Sequence, residues 1–254
     1  MSWKTIGKSV IGTSHISADK QCEDALQFKI ILDNKEEQVL IAIASDGAGS
    51  AKFAKEASVL VTSLGMNLIA NWIKDDKEIN EATIILLVET LLDELTKQSD
   101  LTTEPLCEYS CTLLGCVSHN TSSVFFQIGD GAIIRDDGND GYTTVWWPQN
   151  GEYANTTSFI TDDNALSNLR ITILDEPVNE VALITDGLQM LALNNETSTV
   201  HQPFFNGLFK WLRFAQKQDE IEILNNKLEE YLSGDVINNR TDDDKTLFLG
   251  TRKQ

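Results

Sequence analysis

Apolar runs of strand length alternate with polar turns through much of the chain, and stretches of helical periodicity interrupt them. Positions 3–10 and 25–32 read as short strands around a polar loop at 12–23. The continuous apolar run 39–44 ends at Ser45-Asp46-Gly47-Ala48-Gly49-Ser50, a glycine-rich turn leading into a helix. In that helix Ala54, Ala57, Val61, Leu64 and Leu68 recur three or four residues apart, the spacing that lines one helical face. Ile84, Leu87, Val88, Leu91 and Leu95 do the same in a second helix over 81–98, with Asn80 or the acidic residues before it as cap.

A series of strands follows at 111–118, 123–128, 132–136 and 142–146. The turn sequences His119-Asn120-Thr121-Ser122 and Asp137-Gly138-Asn139-Asp140-Gly141 join them as antiparallel hairpins. Further strands are expected at 156–161, 169–174 and 181–184, helices at 188–193, 203–216 and 219–232, and a closing strand at 246–250. No repeat, low-complexity stretch or linker divides the sequence. The pattern predicts a single α+β domain over 1–254, two antiparallel sheets packed face to face with helices outside.

Composition narrows the function. Of 254 residues 41% are hydrophobic, enough for a large core. No run approaches the roughly 18 apolar residues of a membrane span, and the first residues lack a signal peptide's apolar stretch, so a soluble cytoplasmic protein is expected. Twenty basic against 39 acidic residues give a formal charge of −19, without the clustered Lys and Arg that nucleic acid requires. The four cysteines lack paired zinc-ligand spacing, and small buried thiols are the expectation for them.

The chemistry lies in acidic residues at the ends of strands: Glu23-Asp24, Asp46-Gly47, Gly129-Asp130-Gly131, Asp186-Gly187 and Asp243-Asp244. Oxygen-only donors suit Mg²⁺ or Mn²⁺. Two such ions about 3.5–4 Å apart form a clamp for in-line phosphoryl displacement. Asp46, Asp186 and Asp243 are candidate ligands with the Gly47 carbonyl, and Glu23 and Asp24 would act through bound waters. The ordinary alternative for each is a turn or helix-cap aspartate.

In order along nearly the whole chain, these residues resemble the metal-dependent protein phosphatase 2C family, and within it a compact bacterial branch. Gly12-Thr13-Ser14-His15 with Gln21-Cys22-Glu23-Asp24-Ala25 resembles that branch's opening motif, and 44–50 its Asp-Gly-x-Gly turn. Cys111-Thr112-Leu113-Leu114 resembles its core strand, and Ile128-Gly129-Asp130-Gly131 its Gly-Asp turn. Thr185-Asp186-Gly187 and Asp243-Asp244-Lys245-Thr246 resemble its last two motifs.

The resemblance implies a four-layer α-β-β-α sandwich and a serine/threonine protein phosphatase. It implies two Mn²⁺ or Mg²⁺ ions, or three, with Asp46 bridging the first two and Gly47 binding one through its carbonyl. Asp186 and Asp243 would complete the first shell, Asp130 with Asp186 would hold a third ion, and a water between the metals would attack. The partners implied are phosphorylated proteins and a cognate Ser/Thr kinase; the sequence does not set the oligomeric state, for which a monomer is the expectation. Two departures stand out. The stretch Ser17-Ala18-Asp19-Lys20-Gln21 lacks the family's phosphate-gripping arginine, which leaves His15 or Lys20 for that task. Ala48 stands where eukaryotic members carry a histidine, which leaves proton donation to water or His15. Hydrolysis of a phosphorylated metabolite at the same site, or metal-free binding of phosphoproteins by a pseudo-phosphatase, are the other readings. Trp146-Trp147-Pro148 with Gly151 to Thr157 falls where the family has a substrate-facing flap, core packing of a Trp being the alternative.

Overall fold

The computed structural model describes residues 2–148 and 157–253. In chain order the elements are β1 (Lys4–Val10), α1 (Thr13–Ser17), β2 (Ala25–Leu32), β3 (Gln38–Ser45), α2 (Ala54–Lys74) and α3 (Glu81–Thr102). Next come β4 (Leu113–Ser118), β5 (Ser123–Ile128), β6 (Ala132–Asp136), β7 (Tyr142–Thr144), α4 (Ala165–Asn168), β8 (Arg170–Leu174) and β9 (Glu180–Ile184). Last are α5 (Gln189–Ala192), the small hairpin β10 (Leu193–Asn194) and β11 (Thr199–Val200), α6 (Gln202–Phe214), α7 (Gln218–Ser233), α8 (Asp235–Asn238) and β12 (Lys245–Thr251). The class is α+β, with two five-stranded antiparallel sheets flanked by helices.

The chain forms two compact units. The first comprises Met1–Cys22, Gly131–Trp147 and Val178–Gln254, and the second Glu23–Asp130 and Pro148–Pro177. In the first unit the strand order is β1-β12-β9-β6-β7. Strand side chains alternate between faces, so Ile6, Leu247, Leu249, Ala182, Ile184 and Ile134 share one face and bury against Phe205, Phe209 and Leu212 of α6 and Leu228 and Leu232 of α7. Fully burying a side chain of this size contributes about 1.5–3 kcal/mol. The alternate residues Phe248, Leu183 and Ile133 are also fully buried. A sheet buried on both faces explains why its central strands read as continuous apolar runs.

The second unit has the order β2-β3-β4-β5-β8. Val39, Ile41, Ile43, Leu113, Val117 and Phe126 meet the apolar faces of α2 (Ala57, Val61, Ile69) and α3 (Ile84, Leu87, Leu91, Leu95). Helix α3 begins with a capping box: Asn80 Oδ1 accepts the Thr83 amide at 3.2 Å while Thr83 Oγ1 accepts the Asn80 amide at 2.7 Å.

Four local expectations differ from the structure. Residues 157–161 form no strand, because the Asp162 carboxylate accepts the Phe159 amide at 2.8 Å and turns the backbone into α4. The polar segment after β1 contains α1, which places His15 on a one-turn helix. The expected 111–118 strand begins at Leu113, since Cys111 and Thr112 bond to the Asp46-Gly47 turn instead. Cys111 and Cys116 are buried as expected, but Cys107 is exposed on the turn before β4. Trp147 packs partly buried against the first unit's core, while residues 151–156 of the expected flap lie outside the described residues.

Candidate active site

Antiparallel pairing gathers the acidic residues of each unit at one end of its sheet. In the second unit the pairings Ala25↔Ser45, Ala44↔Leu114 and Leu113↔Ile128 align the start of β2, the end of β3, the start of β4 and the end of β5. Glu23-Asp24, Asp46-Gly47 and Asp130 occupy three of those four ends. The fourth carries Thr112, which orders the turn. Its Oγ1 accepts the Asp46 amide at 2.9 Å, its own amide donates to the Asp46 carbonyl at 2.8 Å, and Ser45 Oγ donates to its carbonyl at 2.5 Å. These bonds spend the Asp46 backbone on the fold and leave its side chain half-buried at the turn. Gly47 bridges to Cys111 and donates its amide to the Glu23 carbonyl at 3.2 Å, and Ser58 Oγ donates to that carbonyl at 2.6 Å. The Glu23-Asp24 segment is thereby tied to the Asp46 turn, with both acidic residues buried. Asp130 follows Gly129, whose φ of +115° lies in the region glycine favours, and Asp130 Oδ2 accepts a hydrogen bond from Thr157 Oγ1.

In the first unit the pairings Val10↔Lys245 and Leu247↔Ile184 align the end of β1, the start of β12 and the end of β9. His15, Asp243-Asp244 and Asp186 sit at those ends. Thr185 and Thr246 exchange bonds, the Thr246 amide reaching Thr185 Oγ1 at 2.9 Å, which fixes Asp186 beside the 243–245 segment. The approach is close enough to require Gly187: a Cβ there would lie 2.0 Å from the Asp244 carbonyl oxygen.

Asp244 organises this end, a role its sequence position alone does not reveal. Its carboxylate is buried; Oδ1 accepts the Gly12 amide at 2.6 Å and Oδ2 lies 3.0 Å from His15 Nδ1. The Ser14 amide and hydroxyl both donate to the Asp242 carbonyl, at 2.9 and 2.7 Å. His15 is therefore held in one orientation by Asp244, whereas Lys20 is exposed beyond α1, its amide on the His15 carbonyl at 2.9 Å.

Asp243 is raised above the usual carboxylate range, first by burial and then by Asp244 and Asp242, against the opposing effects of the Asp244 amide and His15. Part of the residue is open to solvent, yet its carboxyl is crowded by protein atoms and like charges. A divalent cation would relieve that repulsion. The donor types, Asp and Glu carboxylates with a glycine carbonyl, are the hard oxygens that Mg²⁺ and Mn²⁺ take, so the residues fit such ions chemically. Among the described residues no group of three or more His, Cys, Asp or Glu side chains forms a ligand cluster by itself.

The sequence model of the protein phosphatase 2C family matches residues 11–233. Serine/threonine-protein phosphatase 3 of Escherichia coli (strain K12) is 36% identical over 250 residues, spanning 98% of each chain. The crystal structure of a bacterial serine phosphatase superposes with a TM-score of 0.62 at 16% identity, covering 98% of both chains. Stp1, a serine/threonine phosphatase of Staphylococcus aureus, gives 0.62 at 16% identity over 100% of this chain and 96% of its own. The chain belongs to the protein phosphatase 2C family and is a protein phosphatase. That family is metal-dependent. Among the described residues, no helix is long and apolar enough to cross a membrane.

Proposed function

We propose that the chain is a metal-dependent serine/threonine protein phosphatase acting as one domain over residues 1–254. The observation that carries this reading is the collection of acidic residues at one end of each sheet, in the motifs the family shares. Asp46, Asp186 and Asp243 serve as carboxylate ligands for Mn²⁺ or Mg²⁺, with the Gly47 carbonyl. Asp130 with Asp186 serves a third ion, and Glu23 and Asp24 act through waters. When bound, the ions neutralise the phosphoryl oxygens and activate a water for in-line displacement.

The chain's own residues do the rest. Thr112 fixes the Asp46 turn by two backbone bonds, and Thr185 with Gly187 fixes the Asp186 turn, so both carboxylates are positioned before any ligand arrives. His15 supplies phosphate contact and proton transfer to the leaving oxygen, with Asp244 setting its orientation. Lys20 adds a point charge in place of the missing arginine. The substrates are proteins phosphorylated on Ser or Thr by a cognate kinase in the cytoplasm.

The test is metal-titrated hydrolysis of a phosphothreonine peptide and an aryl phosphate by the wild type and by Asp46→Ala. The wild type is expected to respond to Mn²⁺ and the variant to lose that activity. Full activity in Asp46→Ala sinks the assignment. Faster turnover of phosphorylated metabolites than of phosphopeptides would reassign the substrate.

A further inference from the structure

Helix α6 of the first unit is apolar on two faces. Phe205, Phe209 and Leu212 are fully buried against that unit's core. At about 100° of rotation per residue, Phe204, Gly207, Trp211 and Phe214 form a second stripe on the opposite side. Trp211 is 64% and Phe214 69% exposed there. One exposed apolar residue is ordinary, but a helix apolar on both sides is built to be covered on both. The described residues leave the outer stripe open.

That stripe forms one wall of a groove of about 560 Å³, and Leu224, Lys227 and Tyr231 of α7 stand on the other. Gly207 lies midway along the first wall, where an added Cβ would meet nothing within 4 Å. Glycine is unfavourable inside a helix, and here its missing side chain lets another backbone come close. No Asp or Glu is among the described lining residues, although the chain carries 39 acidic against 20 basic residues. Lys227 is the charged residue of the lining, and Lys210 is exposed on the flank of the α6 stripe away from α7. Neither lysine has an ion pair or side-chain hydrogen bond among the described residues. The carboxylates of α7 do not reach the groove to neutralise them. Asp219, Glu222, Glu229 and Glu230 each lie at least about 100° around the helix from Leu224 and Tyr231. Glu229 is held by Lys8 at 2.6 Å, and Glu220 accepts the Gln216 and Lys217 amides at 2.6 and 3.2 Å.

We propose that this groove docks an amphipathic helix of a partner protein, one with acidic residues on both sides of its apolar stripe. An apolar channel flanked by an unpaired lysine on each side is complementary to that pattern, and the notch at Gly207 admits a helix backbone. The thirteen residues of α6 give a wall about 20 Å long, room for roughly four turns of a partner helix. Trp211 and Tyr231 are of the residue types that anchor such contacts. A second copy of this chain fits less well. Because both flanks of the stripe carry a lysine, a two-fold contact of the face with itself sets lysine against lysine. A membrane surface fits less well too, since the feature is concave and the outer side of α7 is acidic. Docking here is independent of the proposed metal chemistry.

The test is fluorescence anisotropy of the full chain with two labelled peptides of about 14 residues, a length that can form a helix. Both carry leucine at helical spacing; glutamates flank the stripe in one and lysines in the other. The glutamate peptide is expected to bind one per chain, about tenfold or more tighter than the lysine peptide. The double variant Lys210→Glu/Lys227→Glu, changed only at exposed positions, is expected to reverse that order. Trp211→Ser is expected to lose both peptides while keeping the wild-type melting temperature. No binding by the wild type, equal binding of the two peptides, or an unchanged order in the double variant overturns the proposal. Sedimentation velocity showing a dimer that Trp211→Ser dissociates overturns it in favour of a second copy. Binding to phosphatidylserine vesicles but to neither peptide overturns it in favour of a lipid surface.

Discussion

Removing the Asp244 carboxylate is the sharpest test of how the first unit's end of the candidate site is assembled. Asp244 is 2% exposed and joins two segments distant in sequence. Its Oδ1 accepts the Gly12 amide at 2.6 Å, and its Oδ2 meets His15 Nδ1 at 3.0 Å. A hydrogen bond to a charged group contributes about 1.5–3 kcal/mol. Asp244→Ala removes both and strands the buried Gly12 amide, so the expected cost is about 3–5 kcal/mol. For a chain of this size about 2–4 °C of melting temperature accompanies each kcal/mol, which gives a drop of about 6–20 °C.

Asp244→Asn separates the two bonds. The amide oxygen still accepts from Gly12, but its NH₂ now faces His15 Nδ1, which must become the acceptor and move its proton to Nε2. The expected loss is about 1 kcal/mol, roughly one uncharged hydrogen bond. Thermal unfolding at neutral pH in a chelator reads stability without any metal contribution. The expected order is wild type, then Asn, then Ala. An Ala variant melting within about 3 °C of the wild type would refute the reasoning, because that shift is worth only about 1 kcal/mol.

Other outcomes follow from the same structure. Asp243 is raised in the fold, so its contribution to stability is present below the unfolded carboxylate range and is lost as pH rises through the raised value. Asp243→Asn is therefore expected to melt no lower than the wild type in chelator at neutral pH, to lose that advantage in acid, and to gain less from added Mg²⁺. A lower melting temperature in neutral chelator would contradict this. The fully buried Glu180 accepts from Arg213 Nε at 2.8 Å, Tyr142 at 3.0 Å and Thr251 at 2.9 Å. Glu180→Ala is expected to cost about 3–5 kcal/mol in urea unfolding, the range for breaking a buried ion pair, and a loss under about 1 kcal/mol would count against the network. Burial pushes the Cys111 thiol up to about 12, while Cys107 is exposed. A thiol-reactive disulfide should label Cys107 first and reach Cys111 only on unfolding, as peptide mapping would show.

Sequence revealed most of this fold because its central strands are apolar at every position and its long helices are periodic. Runs such as 39–44 and 181–184 needed no partner to be recognised, and Asn80 with Thr83 announced its capping box locally. The expected strand at 156–161 failed where one side chain overrode local preference, Asp162 turning the chain by bonding to the Phe159 amide. The candidate ligands were legible for a related reason, since Asp-Gly turns after strands carry their signal within a few residues. Asp244 carried no such signal. Both its partners lie near residue 12, more than two hundred positions away, and only the pairing Val10↔Lys245 brings them together. The same pairing bears on the missing arginine in a way composition could not: at this end of the sheet the ordered candidate for a phosphate contact is His15, held by a buried carboxylate, and not the exposed Lys20. If phosphate is gripped from this segment, substitution at position 15 should therefore weigh more on catalysis than substitution at position 20, and Asp244→Asn should lower turnover through the histidine it orients.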